Sequence, residues 1–398
     1  MERERASFWR RLYHPIPYGI AERKELAVLD FVCRLLVCWP ANLMASLSSR
    51  LQLAWLRGST DLVIMRPKGK RIGEDANVRT SESVFDGVKV RIHVPKDPDG
   101  NGAIIFIHGG GFTLHSARAY DYVTRRICRQ SGLAVVSIDY RLSPEHKYPA
   151  AVNDCEKATV HFLTSAYKDY LVDPHKVVIM GDSAGGNLAA VTLQRLRARD
   201  VPLPKLQVLI YPWLQLIDFQ LPSYQMMAKH PRGNLVYPNA LAMYLLYYLV
   251  GPDTNHHILD ITANRHLPPE MPSLDHILKH GMAASPSAQN GSSNEAYPSS
   301  PAAVNMELCN LLKPYLLDPQ VSPLLQTDLT YLPKTMVITV EYDPLRDDGL
   351  MYADRLRQAG VQTVQKHSSD TFHAVINYDS FTSHYIVSEI VAFVCENL

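Results

Sequence analysis

The chain has 398 residues, 46% of them hydrophobic and 20% charged, enough for a substantial core built as one elaborated domain or two small ones. Forty Lys and Arg against thirty-nine Asp and Glu leave a formal net charge of +1, which lacks the basic footprint of a nucleic-acid partner. The six cysteines, Cys33, Cys38, Cys128, Cys155, Cys309 and Cys395, show no C-x-x-C or Cys/His ligand spacing, so neither a zinc site nor a dense disulfide framework is indicated and no cofactor is expected.

Residues 1–25 alternate charged and aromatic side chains and contain no apolar stretch of the secretory type. Leu26 to Trp39 is apolar but interrupted by Asp30 and Arg34, which are four apart and able to pair on one helix face. This reads as an amphipathic helix too short and too charged to span a bilayer, with a helix lying on a membrane surface as the sharper alternative. From about residue 83 the pattern becomes strand, loop and helix in repetition, which predicts an α/β domain with a mostly parallel sheet flanked by helices. Val88 to Val94 alternates as an outer strand would, whereas Ala103 to Ile107, Ala134 to Ile138, Val177 to Met180 and Val208 to Ile210 are short apolar runs suited to buried strands. Pro149 to Ser165 and Ala184 to Arg199 fit helices between them.

Between about Leu221 and Leu311 no strand is visible. The tyrosine-rich Val236 to Val250 reads as a helix in a cap, and Pro268 to Ala303, rich in Pro, Ser, Asn and Ala, as a long loop. Such a helix serves as plain core or as the wall of a lipophilic pocket. The α/β rhythm resumes with strands Lys334 to Val340 and Val361 to His367, a helix Asp348 to Ala359 and a closing helix Phe381 to Glu396. The expected organisation is a helical cap segment over residues 1–80, core over 81–220, cap insertion over 221–311 and core again over 312–398.

Two glycine-rich stretches carry the chemistry. Gly181-Asp182-Ser183-Ala184-Gly185 places a serine between a strand and a helix, where flanking glycines permit the sharp corner that presents a nucleophilic hydroxyl. A serine needs a base and a group to orient that base. In the chain order Ser, acid, His, the acid falls on Asp343 after the strand ending at Val340, with Asp347 and Asp348 better explained as helix capping. The base falls on His373, in the loop after the strand ending near His367. His108-Gly109-Gly110-Gly111 follows a buried strand and suits an oxyanion hole, with the N–H groups of Gly110, Gly111 and Ala184 as donors and His108 as an organiser of the loop.

These stretches, with Asp139-Tyr140-Arg141-Leu142-Ser143-Pro144-Glu145, Ile210-Tyr211-Pro212 and Tyr342-Asp343-Pro344-Leu345-Arg346-Asp347-Asp348-Gly349, resemble the hormone-sensitive-lipase-like branch of the α/β-hydrolases, and within it the arylacetamide deacetylase group. The resemblance is colinear over roughly residues 80–220 and 315–398, and Tyr13-His14-Pro15-Ile16-Pro17 is similar to the segment that follows the membrane anchor in that group. It implies an α/β-hydrolase fold with a helical cap, a cofactor-independent serine esterase or arylamide deacetylase acting on small lipophilic substrates, and a place on the luminal side of the endoplasmic reticulum membrane. Three departures bear on this. The chain starts where the anchor would end; Thr113 and Val340 replace cysteines found in some relatives, which favours a cytoplasmic setting; and the glycine on each side of the family's Phe-His pair is Thr371 and Ala374 here. The sequon Asn290-Gly291-Ser292 does not decide the compartment. The rival readings are a non-catalytic ligand-binding protein on a hydrolase scaffold and a serine peptidase, the latter without the repeats of a propeller domain.

Overall fold

The structure, a computed structural model, describes residues 19–64, 77–199, 201–229, 236–268 and 303–398. Tyr13 to Pro17, most of the Pro268 to Ala303 loop and the Asn290 sequon lie outside the described residues.

Eight strands form one sheet in the order β1-β2-β4-β3-β5-β6-β7-β8. They are β1 (Val78–Phe85), β2 (Val88–Pro95), β3 (Ala103–Ile107), β4 (Ala134–Asp139), β5 (Val177–Asp182), β6 (Leu206–Ile210), β7 (Lys334–Tyr342) and β8 (Thr363–Phe372). β2 runs antiparallel to both β1 and β4, and the remaining pairings are parallel. The central strands β3, β5 and β6 are buried along their whole length, as continuous apolar runs covered on both faces require. One core cluster lies on each face: Ile105, Ile179 and Leu209 point to one, Phe106, Met180 and Val208 to the other.

β1 escaped the sequence reading at its start because Arg79 to Ser83 carries five polar side chains in a row, tolerated at the sheet edge where both faces meet water. β8 likewise runs beyond His367 through the polar Ser368 to Asp370 and ends at Phe372, so the stretch expected to be a loop is mostly strand and His373 stands directly at its end.

Helices cover the sheet. In chain order they are α1 (Arg23–Cys33), α2 (Trp39–Ala45), α3 (Ser49–Ile64), α4 (Asp121–Ser131), α5 (Ala150–Thr164), α6 (Ala184–Ala198), α7 (Pro222–Lys229), α8 (Pro238–Leu249), α9 (Ile258–Thr262), α10 (Met306–Leu316), α11 (Arg346–Gln358) and α12 (Phe381–Asn397). A π-helical turn, Arg34–Cys38, joins α1 to α2. The N-terminal helix therefore continues from Arg23 to Ala45, 23 residues with a mean hydropathy of 1.6 in its most apolar window. That corrects the shorter span expected from sequence: by length and composition alone this helix could cross a membrane. The Asp30–Arg34 pair forms as anticipated, with Arg34 Nε 2.7 Å from Asp30 Oδ2, yet on the half-buried side of the helix. The opposite side exposes Val28, Phe31, Leu35, Leu36, Trp39 and Leu43.

Candidate active site

Ser183 sits between β5 and α6 with φ 54° and ψ −123°, a backbone conformation that costs a non-glycine residue on the order of 1–3 kcal/mol. Its neighbours make the corner possible. A Cβ on Gly181 would fall 2.2 Å from the Gly185 carbonyl oxygen, and one on Gly185 would fall 2.1 Å from that of Ile107. The corner is tied down by its own backbone: Ser183 N–H donates to the Ile210 carbonyl at 2.9 Å, and Trp213 N–H donates to the Ser183 carbonyl at 3.1 Å.

β7 and β8 deliver the other two groups. Asp343 follows β7 directly and is fully buried; its Oδ1 accepts from Leu345 N–H at 2.8 Å, which leaves Oδ2 for His373 Nδ1 at 2.8 Å. An ionised carboxylate only accepts, so Nδ1 carries the proton, and His373 Nε2 accepts from the Ser183 hydroxyl at 2.9 Å. The imidazole packs against the Tyr211 ring, centroids 4.7 Å apart, and Ala374 beyond it is in the left-handed region at φ 67°. The loop adopts a glycine-like turn with an alanine.

The glycine stretch comes to the same place. Gly110 and Gly111 line a cavity of about 140 Å³ together with Ser183 and His373. Their N–H groups and that of Ala184 donate to no acceptor among the described residues, and all three flank the serine. Gly109 is different, because its N–H donates to Asp182 Oδ1 at 2.8 Å and is not open to an oxyanion. His108 is fully buried, with Nδ1–H donating to the Gly109 carbonyl at 2.8 Å and its ring stacked on Tyr140 at 4.3 Å. Burial pushes its pKa down to about 4, so it stays neutral and stiffens the loop.

Sequence reasoning misjudged Asp347 and Asp348. Neither caps its own helix, α11: Asp348 accepts from Leu214 N–H, Gln215 N–H and Gln215 Nε2, and Asp347 accepts from Ser223 N–H in the first turn of α7, so both hold the chain that leaves β6 towards α7. It also missed three residues that brace the loops. Asp182, the second letter of the serine motif, accepts from Tyr120 Oη at 2.9 Å as well as from Gly109, and burial raises its carboxyl to about 6 despite those two donors. Asn377, four residues past His373, donates to the same Tyr120 hydroxyl at 3.4 Å. Arg57 on α3 donates to the Thr113 and Ser143 carbonyls, each at 2.9 Å, and forks onto Glu145 at 2.8 Å. Motif position marked Asp182; nothing in the sequence marked Arg57. The cavity wall is completed by Tyr244 of α8, Val37 and Cys38 of the N-terminal helix and Ile64 of α3. All six cysteines are unbridged, and Thr113, where some relatives have cysteine, is buried with its hydroxyl 3.0 Å from that of Ser143.

A mostly parallel sheet with helices on both faces and a serine on a strained strand-to-helix corner at its centre defines a hydrolase of the α/β class. The chain belongs to the α/β-hydrolase family, whose model, described as alpha/beta hydrolase fold, matches residues 104–274 and 272–377. It is 37% identical over 326 residues to rabbit (Oryctolagus cuniculus) arylacetamide deacetylase, 79% of each chain, and 33% identical over 397 residues to neutral cholesterol ester hydrolase 1 of Pongo abelii, 94% of this chain and 92% of that one. Among solved structures it resembles the Pyrobaculum calidifontis esterase, with a TM-score of 0.64, 29% identity and coverage of 86% of this chain and 93% of that one.

Proposed function

We propose that this protein is a serine carboxylic ester hydrolase for lipophilic substrates, including arylamides, that works through an acyl-enzyme. The observation carrying this is the relay in which His373 bridges Asp343 Oδ2 at 2.8 Å and Ser183 Oγ at 2.9 Å. Ser183 Oγ attacks the substrate carbonyl while His373 Nε2 takes its proton, and Asp343 orients the ring and stabilises the imidazolium. The tetrahedral oxyanion is held by the N–H groups of Gly110, Gly111 and Ala184, which have no other acceptor among the described residues. As the intermediate collapses, His373 returns the proton to the departing alcohol or amine. Water then gives a proton to His373 as it attacks the acyl carbonyl, and His373 passes that proton to Ser183 Oγ as the ester bond to the enzyme breaks and the acid leaves.

Lipophilic specificity rests on the apolar wall of the catalytic cavity, Val37, Ile64, Leu114, Leu241 and Tyr244, and accords with the names of the deacetylase and cholesterol ester hydrolase relatives. Residues 1–80 and 221–311 are proposed to form the cap over a core of 81–220 and 312–398. The exposed apolar side of the N-terminal helix, with Trp39 half-exposed among leucines, supports association with a lipid surface and fits the endoplasmic reticulum membrane setting of the deacetylase resemblance. Reaction of the purified protein with a fluorophosphonate, followed by peptide mapping, tests the assignment. A phosphonate adduct on Ser183 is expected; an unlabelled protein, or an adduct on another serine, overturns it.

A further inference from the structure

A second cavity, of about 510 Å³, lies beside the catalytic one. Its walls come from α1, through Leu29 and Val32, and from Phe372, the residue immediately before His373. Val63 and Tyr378 line both cavities, so these two side chains stand between them. The sizes matter. A catalytic cavity of about 140 Å³ is below the roughly 300–1,000 Å³ typical of small-molecule sites, whereas the second lies inside that range. Its interior is apolar, and its ionisable lining groups, Glu22, Glu25 and Asp379, are all acidic.

Building on the ester-hydrolase reading, we propose that this second cavity is a binding site for the long hydrocarbon limb of the substrate, with Val63 and Tyr378 as the partition that sets chain-length preference. The ester group occupies the catalytic cavity beside Ser183, and displacement of the Tyr378 side chain joins the two spaces. The acidic rim disfavours chains that end in a second carboxylate, so the site selects limbs that are uncharged at their far end. The N-terminal helix thereby has a part in both spaces: it supplies one wall of the chain site and, through Val37 and Cys38, part of the catalytic cavity.

The test is the ratio of kcat/KM for p-nitrophenyl dodecanoate to that for p-nitrophenyl acetate. Leu29→Trp, which fills the second cavity, is expected to lower the ratio at least about ten-fold, and Tyr378→Ala to raise it. Val32→Trp, at the more exposed edge of the same wall, replaces Leu29→Trp should that variant fail to fold. A ratio within about two-fold of wild type in the filling variants overturns the proposal. Binding of Nile red and its displacement by 1-dodecanol provide a readout independent of turnover. A wild type that cleaves neither ester refutes the hydrolase reading alone, and the chain site is then decided by displacement: loss in Leu29→Trp supports it, and equal displacement from both proteins overturns it.

Discussion

Ala374→Gly isolates the strain in the loop that carries the histidine. Ala374 has φ 67° and ψ 14°, directly after His373, and an L-residue in that region costs about 1–2 kcal/mol relative to its right-handed conformation. Glycine visits the region freely but carries more entropy into the unfolded chain, which takes back roughly 0.5–1 kcal/mol. The net expectation is a stabilisation of about 1 kcal/mol. In a chain of 398 residues this moves Tm by only about 1 °C, because the unfolding entropy scales with length, so urea titration is the better assay. The midpoint should rise with the slope m unchanged. A variant less stable than wild type by about 0.5 kcal/mol or more would refute the reasoning and mean that the Ala374 methyl makes packing contacts worth more than the strain.

Acid should weaken the fold through its buried neutral histidines. Burial lowers His93, His108 and His266 from 6.5 to about 4; between those values the unfolded chain binds protons that the native state refuses, so stability is complete above pH 6.5 and falls towards pH 4. The loss at pH 5 is about 2 kcal/mol per histidine, and Asp182, raised from 3.8 to about 6, has the opposite sign and returns about 1 kcal/mol as it protonates. Urea unfolding at pH 7.5 and pH 5 should show the net fall, and His266→Phe should flatten it; a pH-independent midpoint would contradict this. Gly185→Ala should abolish folding or cost more than about 4 kcal/mol, since its Cβ would enter the Ile107 carbonyl, whereas Gly58→Ala on α3, with nothing within 4 Å of the added Cβ, should stabilise by about 0.5–1 kcal/mol. Arg57→Ala should lower kcat/KM by releasing the Thr113 and Ser143 carbonyls while costing only about 1–2 kcal/mol in urea unfolding, because the Glu145 pair is partly exposed. Arg57→Lys should not restore the rate, as one ammonium cannot replace the planar fork; full rescue by lysine would reduce Arg57 to a surface charge.

Much of the core was legible because its signals are local. Ala103 to Ile107 and Val177 to Met180 are apolar runs that only a buried strand accommodates, and the Gly181 to Gly185 spacing encodes the corner that contains Ser183. The order of elements then put Asp343 and His373 at adjacent strand ends, where the structure brings them together. The polar ends of the sheet were hidden for the converse reason: Arg79 to Ser83 pairs with β2 across a tight turn and Ser368 pairs with Val340 of β7, so these residues join strands through backbone hydrogen bonds that their side chains do not announce. Asp347 and Asp348 looked like capping residues because the donors they serve, on Leu214, Gln215 and Ser223, lie over a hundred residues earlier. The contribution of α1 and α3 to the catalytic cavity was equally invisible, since it depends on how an apolar N-terminal helix packs and not on any motif it contains.

The acyl-enzyme on Ser183 is the claim on which the functional account depends. Stopped-flow hydrolysis of p-nitrophenyl acetate, with rapid acid quench and mass analysis of the Ser183 peptide, addresses it most directly. The account predicts acetylation of Ser183 during turnover and loss of both the acetyl mark and turnover in Ser183→Ala; undiminished turnover in that variant would contradict it.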